Sequence, residues 1–257
     1  LLYEALQAPA PTLAHLPLIL GPSGGRLSKR DAATSVDVYR ERGFLPEALC
    51  NYLARLGWSH YDQEIFTRGE LIQYFSLEGV SRSAAVFDYA KLTWMNGEYI
   101  RNWSSNALVA YIQQYFDTTW RTDLYRWTNN QVNAALDVYR ERDETVADLC
   151  ENTRALHARP EYQAVPDAIP WSSMTETYLD AVVNALYNLD TVTPDTIKSA
   201  VKGVCTQYNI KLPMVAKPLR FALTGLTESA SVFTLVYVLG IDETALRCRR
   251  LLHTCYT

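Results

Sequence analysis

Apolar residues return every three to four positions along most of this chain, and the stretches that carry this period begin and end at helix punctuation. Such spacing gives each helix one apolar stripe that must be buried against another, which restricts the chain to a mainly α fold. Leu45-Pro46 opens one helix, with Pro near the first helical position, where its missing N–H costs nothing. Leu45, Leu49, Tyr52, Leu53 and Leu56 then fall on one face, and Gly57 stops it. Residues 88–101 form a second helix. Between Met174 and Leu189 the stripe is Tyr178, Val182, Leu186 and Leu189. Thr193-Pro194-Asp195 is a cap followed by proline, with Ile197, Val201, Val204 and Tyr208 on the face behind it. Residues 212–224 and 232–239 are further helices broken by Gly225 and Gly240, and a last one starts at Ile241.

Two stretches lack any period. Residues 158–170 hold Pro160, Pro166 and Pro170 and form a loop; residues 76–86 form a short irregular connection. The hexapeptide Asp37 to Arg42 recurs as Asp137 to Arg142, which reflects two helices with similar surface needs rather than a repeat architecture. No apolar run approaches the ~18 residues of a membrane span, and Leu1-Leu2-Tyr3-Glu4 has no basic leader. The Cys residues at 50, 150, 205, 248 and 255 are scattered, without a Cys-x-x-Cys, and are expected to be reduced thiols of a cytoplasmic protein. Cys248, His253 and Cys255 read as residues of a terminal helix, not as metal ligands. A net charge of −4 argues against a partner held by charge alone, but not against a shaped RNA surface with local arginines.

Chemistry enters at residues 21–30. Gly21-Pro22-Ser23-Gly24-Gly25 is followed by Arg26-Leu27-Ser28-Lys29-Arg30. A glycine-rich segment lets backbone approach a ligand closely, and cations beside a hydroxyl offset the charge that develops when a polyphosphate reacts. By itself such a segment is equally a solvated basic loop.

The residues C-terminal to this loop are more specific. Tyr39-Arg40-Glu41-Arg42-Gly43-Phe44-Leu45-Pro46-Glu47-Ala48-Leu49, Leu56-Gly57-Trp58-Ser59, Asp62-Gln63-Glu64-Ile65-Phe66 and Trp94-Met95-Asn96-Gly97-Glu98-Tyr99-Ile100-Arg101 form one string. Together with His15-Leu16-Pro17-Leu18-Ile19-Leu20-Gly21-Pro22 and Lys217-Pro218-Leu219-Arg220-Phe221-Ala222-Leu223-Thr224-Gly225, it resembles the bacterial glutamyl-tRNA synthetases from their Lys-Met-Ser-Lys-Ser signature loop onward. The resemblance is dense over 12–101, sparse over 102–210 and clear again over 211–252. The family's His-Ile-Gly-His signature has no counterpart: His15, His60, His157 and His253 stand in no such motif. The expectation is therefore the C-terminal half of such an enzyme, inactive alone.

The resemblance implies the end of a class I catalytic domain over 1–35, a stem-contact region over 36–101, and two all-helical anticodon-binding subdomains over 102–165 and 166–257. It implies a glutamate–tRNA ligase that activates glutamate with ATP and Mg²⁺ and transfers it to tRNA(Glu), acting as a cytoplasmic monomer with no metal site in this chain. Lys29 falls on the loop's second lysine and is the implied catalytic residue; with Arg26 and Ser28 it would bind ATP. Arg26 stands where the family usually has Lys, and Asp31-Ala32 where it commonly has His-Gly. Arg142 is implied to read the third anticodon base, with Arg140 as the alternative register. Arg220 and Ser229, in or after the Pro-Leu-Arg segment, complete the anticodon set. The family's loop after Gly225 usually carries Gly and Pro, whereas here it is Leu226-Thr227-Glu228-Ser229-Ala230-Ser231. Trp58, Trp94 and Tyr99 are expected in the core. The competing reading is a non-catalytic relative that grips tRNA or scaffolds a complex.

Overall fold

The computed structural model describes residues 1–25, 27 and 35–256, with only the backbone described for Cys255 and Tyr256. The chain divides into two units, Leu1–Asn102 and Trp103–Thr257.

In the first unit the helices are α1 (Leu2–Ala5), α2 (Val36–Glu41), α3 (Pro46–Gly57), α4 (Arg68–Tyr74) and α5 (Tyr89–Asn102). The expected face of α3 is only partly right. Leu45, Ala48, Leu49 and Tyr52 are buried, but Leu53 is 46% exposed. Leu53 instead lines a shallow apolar groove with Leu16, Ile19, Leu56, Trp58 and Val80. Gly57 is the last residue of α3 rather than its stop, and the chain turns extended at Trp58. Trp58 is buried, and a Cβ on Gly79 would come within 3.0 Å of its indole, so the irregular 76–86 connection closes over it only because Gly79 has no side chain. That connection ends in a strand missed in the sequence: β2 (Ala85–Val86) pairs in parallel with β1 (Ile19–Leu20).

α3 packs on α5, whose Leu92, Met95 and Ile100 are fully buried. Trp94 departs from expectation: it is 41% exposed, because Leu92, Met95, Tyr99 and Ile100 take the inward face of α5. Two buried asparagines organise this interface. Asn96 accepts from the Leu45 N–H at 2.8 Å and donates to the Gly43 carbonyl at 3.4 Å. Asn51 donates to the Glu64 carbonyl at 2.9 Å and accepts from the Phe66 N–H at 2.6 Å and from the Tyr99 hydroxyl at 2.8 Å. Each satisfies backbone groups that no helix or sheet pairs, which a buried chain segment requires.

The second unit holds α6 (Ser105–Tyr111), continued by a π-helical turn over Ile112–Phe116, then α7 (Trp120–Asp123), α8 (Asn129–Tyr139), α9 (Val146–His157), α10 (Thr175–Tyr187), α11 (Pro194–Gln207), α12 (Pro213–Thr224), α13 (Val232–Leu239) and α14 (Ile241–Tyr256). Thr193 caps α11 as the sequence indicates, with Thr196 completing the box, and Pro194 is at its start. The inward stripe of α10 is Thr175, Leu179, Val182 and Leu186, so Tyr178 sits at its edge, and Leu189 lies beyond the helix end. α10 packs on α11, α12 and α14, α11 on α13, and α8 on both α9 and α13. Residues 158–170 contain no helix. Of the expected terminal trio, Cys248 is buried and His253 exposed. No helix among the described residues is long and apolar enough to cross a membrane.

The centre of this unit is a charge. Arg247, on α14, is 1% exposed. Its guanidinium pairs with Glu243 at 2.9 Å and donates to the Leu223, Leu156 and His157 carbonyls, the last two at 2.9 and 3.2 Å. Leu156 and His157 end α9, and Leu223 lies in the last turn of α12. A cation thus meets the unpaired carbonyls and negative dipole ends of two helices at once. Glu243 is shared with Arg159 at 2.9 Å. Burial pushes the Glu243 carboxyl up, but hydrogen bonds from Arg159 and Arg247 outweigh it and bring it down to about 2.

Arg247→Met leaves the Leu156 and Leu223 carbonyls without this donor, the His157 carbonyl with Arg126 alone, and Glu243 without its buried partner, and the urea midpoint of the second unit should fall by the equivalent of about 3–5 kcal/mol; an unchanged midpoint would deny Arg247 its structural role. His157 is buried and held neutral: desolvation first, then the charges of Arg126 and Arg247, lower it from 6.5 to about 4. A depressed folded-state value means that the unfolded chain takes up the proton first. The contribution of His157 is complete above pH 6.5 and is lost as pH falls toward 4. His157→Gln should flatten the dependence of melting temperature on pH in that window; an unaltered slope would assign the acid sensitivity to other groups.

Candidate functional site

In the first unit, β1 runs into the glycine-rich turn. Gly24 adopts φ +79°, Gly24 N–H donates to the Gly21 carbonyl at 2.9 Å, and Gly21 N–H donates to the Gly25 carbonyl at 2.7 Å. Leu27 N–H returns to the Ile19 carbonyl at 3.1 Å. The turn therefore leaves the carboxyl end of a strand in a parallel pair, which is where ligands meet open parallel sheets. Arg26, Ser28 and Lys29 lie outside the described residues.

In the second unit the recurring hexapeptide ends α8. Arg140 is half-buried and fully engaged: it donates to the Trp103 carbonyl at 2.7 Å and pairs with Asp137 at 2.6 Å. Arg142 comes next in the turn, where its N–H donates to the Tyr139 carbonyl at 2.8 Å. Its side chain is exposed, and its guanidinium makes no hydrogen bond or ion pair with the described residues. The turn is held from below by Asp143, which accepts two hydrogen bonds from the Asn152 amide at 3.0 and 2.9 Å, and by Thr145, which caps α9.

Arg142 lines an open groove of about 350 Å³ between the end of α8 and the starts of α11 and α13. Ala134 and Val138 give it apolar surface, Asp137 and Glu141 give it carboxylates, and Ala230 and Ser231 border it from the segment after α12. That segment needs neither of the residues the family usually places there. Gly225 alone takes a positive φ, +71°, and ends α12; a Cβ on it would meet Pro160 at 3.1 Å. Leu226, Thr227 and Glu228 are exposed, and Ser229, half-buried, adjoins the groove through Ala230. Arg220 is on α12, half-buried, with its Nε buried and without a hydrogen-bond partner. It is not among the groove's lining residues. The fold thus brings Arg142 together with residues 230–231 and leaves Arg220 apart. Tyr237 lines the same groove and does not stand out in the sequence, since one tyrosine in an apolar helix reads as core there.

The profile of the family described as "Anticodon binding domain" matches residues 107–252, which contain every residue of this groove. Residues 1–94 match "tRNA synthetases class I (E and Q), catalytic domain". Among curated relatives, the glutamate–tRNA ligase of Nitrobacter hamburgensis is 41% identical over 251 residues, covering 95% of this chain and 53% of that protein. That of Syntrophobacter fumaroxidans is 42% identical over 248 residues, covering 94% and 51%. The chain belongs to the anticodon-binding domain family, whose match spans more than half of it. It spans about half the length of these curated relatives. Among solved structures, a glutamate–tRNA ligase from Elizabethkingia meningosepticum, in complex with its amino acid, superposes with a TM-score of 0.80 at 29% identity, covering 98% of this chain and 53% of that one.

Among the described residues, no group of three or more His, Cys, Asp and Glu stands so as to hold a metal ion. The two arginines of the repeated hexapeptide should separate in stability. Arg140→Gln loses charge-assisted bonds and should cost about 1.5–3 kcal/mol in urea unfolding, whereas Arg142→Gln should stay within about 0.5 kcal/mol of wild type. Equal effects would mean that the two positions are not distinguished as described.

Proposed function

We propose that this chain is the tRNA-recognising part of a glutamate–tRNA ligase, in which the whole enzyme activates glutamate with ATP and esterifies it to tRNA(Glu). The observation that carries this reading is the groove of the second unit. It joins an unpaired guanidinium to the residue 230–231 segment inside a region matched by an anticodon-binding family. Arg142 reads the third anticodon base, because a planar donor fork can pair with two acceptors on one base edge. Ser229 and Arg220 lie in the flanking segment and helix and contact the neighbouring anticodon nucleotides. The finer division is residues 1–35 for the end of the catalytic domain, 36–101 for stem contact, and 102–165 and 166–257 for two anticodon-binding subdomains.

Arg26, Ser28 and Lys29 meet the ATP phosphates, and Lys29 is the catalytic residue that offsets charge as pyrophosphate leaves. Mg²⁺ would accompany ATP in the whole enzyme. The protein acts as a monomer in the cytoplasm. The catalytic-domain match over residues 1–94 favours this reading over a non-catalytic tRNA-gripping module.

The test is a filter-binding competition between tRNA(Glu) and tRNA(Gln) transcripts. Arg142→Gln should lose about 1–3 kcal/mol of preference, as expected for one bidentate base contact, and Arg140→Gln should keep it once corrected for folded fraction. If neither substitution alters the preference, the anticodon assignment is wrong. A residual affinity that ignores sequence and falls steeply with salt would then mark a backbone-gripping module.

A further inference from the structure

We propose that Tyr237 is the stacking platform for one unstacked anticodon base, held in the same groove whose edge Arg142 occupies. The inference rests on the anticodon reading above and adds a residue which that reading does not use. α13 buries Val232, Leu235, Val236, Val238 and Leu239. Tyr237 is turned the other way, 40% exposed, and it lines the groove with Ser231 and Thr234 at a spacing of three residues along one helix face. Its ring has no aromatic or cationic partner and its hydroxyl no hydrogen bond among the described residues. Three other tyrosines are used differently: the hydroxyls of Tyr52, Tyr99 and Tyr162 each hydrogen-bond the surrounding backbone, and burial pushes each of them up. The exposed part of the Tyr237 ring and its hydroxyl are thus left unpartnered on the groove wall.

The other groove residues say what such a ring would meet. Ala134, Val138 and Ala230 make an apolar floor, to which a flat aromatic ligand is suited. Asp137 is already paired with Arg140, which leaves the Glu141 carboxylate and the Arg142 guanidinium to meet an occupant. One carboxylate beside one guanidinium offers a phosphate no net attraction, whereas a neutral base has donors for Glu141 and acceptors for the arginine. Single-stranded RNA is read in this manner, with splayed bases stacked on aromatic side chains and hydrogen-bonded at their edges. The occupant is therefore a nucleobase, and since the groove lies wholly within residues 107–252, a base of the anticodon loop.

The experiment measures binding of the 257-residue chain to a tRNA(Glu) transcript and to three versions of it, each abasic at one anticodon position. Tyr237→Ala should weaken binding to the intact transcript about 5- to 100-fold, the range alanine substitution gives for one stacked base. Tyr237→Phe should bind as wild type does, because the hydroxyl has no partner to lose. On one of the abasic transcripts, wild type and Tyr237→Ala should bind equally, since the stacked base is gone; that position identifies the base. Three results overturn the proposal. If Tyr237→Ala binds the intact transcript like wild type while Arg142→Gln loses its tRNA preference, stacking fails and the anticodon reading stands. If Arg142→Gln keeps its preference as well, the anticodon reading fails and takes stacking with it. If Tyr237→Ala weakens all four RNAs equally, Tyr237 acts on the fold or on the RNA backbone, and a lowered melting temperature tells the first from the second.

Discussion

The buried guanidinium of Arg247 is the contact on which the second unit depends. A single side chain on α14 closes the C-terminal ends of α9 and α12, and Glu243 and Arg159 supply the surrounding charge. Both helices bear on the groove. α9 is capped by Thr145, three residues after Arg142, and α12 ends directly before the segment that reaches Ala230 and Ser231. Packing alone would allow helices with apolar stripes to slide or rotate by small amounts. A guanidinium that must satisfy named carbonyls does not tolerate this, because each lost bond leaves a polar group without solvent.

The first unit reaches the same end with neutral groups. Asn51 and Asn96 bind the backbone of the segments between helices, residues 43–45 and 64–66, to α3 and α5. Arg55 and Lys91 then meet on Glu64 at 2.7 and 2.9 Å, and their hydrogen bonds outweigh its desolvation to hold its carboxyl below the usual range. These partly exposed pairs contribute less than the asparagines, since water competes for them. The parallel pair β1–β2 is the only sheet among the described residues, and it fixes where the glycine-rich turn emerges.

The repeated hexapeptide shows how identical sequence is given different work by its surroundings. In both copies the arginine at the fourth position pairs with the aspartate at the first, at 3.5 Å for Arg40–Asp37 and 2.6 Å for Arg140–Asp137. In the first copy Gly43 comes next at φ +80° and lets the chain turn to Phe44 and Leu45. In the second, Asp143 comes next and is drawn into the interior by Asn152, which leaves Arg142 facing outward. Burial raises the Asp143 carboxyl despite that amide.

The sequence by itself determined α3, α5 and α10 to α14, most of their ends, and the resemblance to a family. Period, capping threonines and first-turn prolines are local, and gapless motif strings such as those around Gly43 and Gly225 survive without knowledge of contacts. Tertiary structure alone decided where a helix departs from its apolar stripe and which polar residues are internal. Trp94 carries an apolar side chain on a regular helix yet faces solvent, Leu53 lines an open groove, and Asn51, Asn96 and Arg247 are buried although composition would place them outside. The reason is that burial is a property of partners distant in sequence: the Leu45 N–H selects Asn96, and the ends of α9 and α12 select Arg247. The separation of Arg142 from Arg140, and the meeting of Arg142 with Tyr237 across a groove, arise in the same way from long-range packing of α8 on α13.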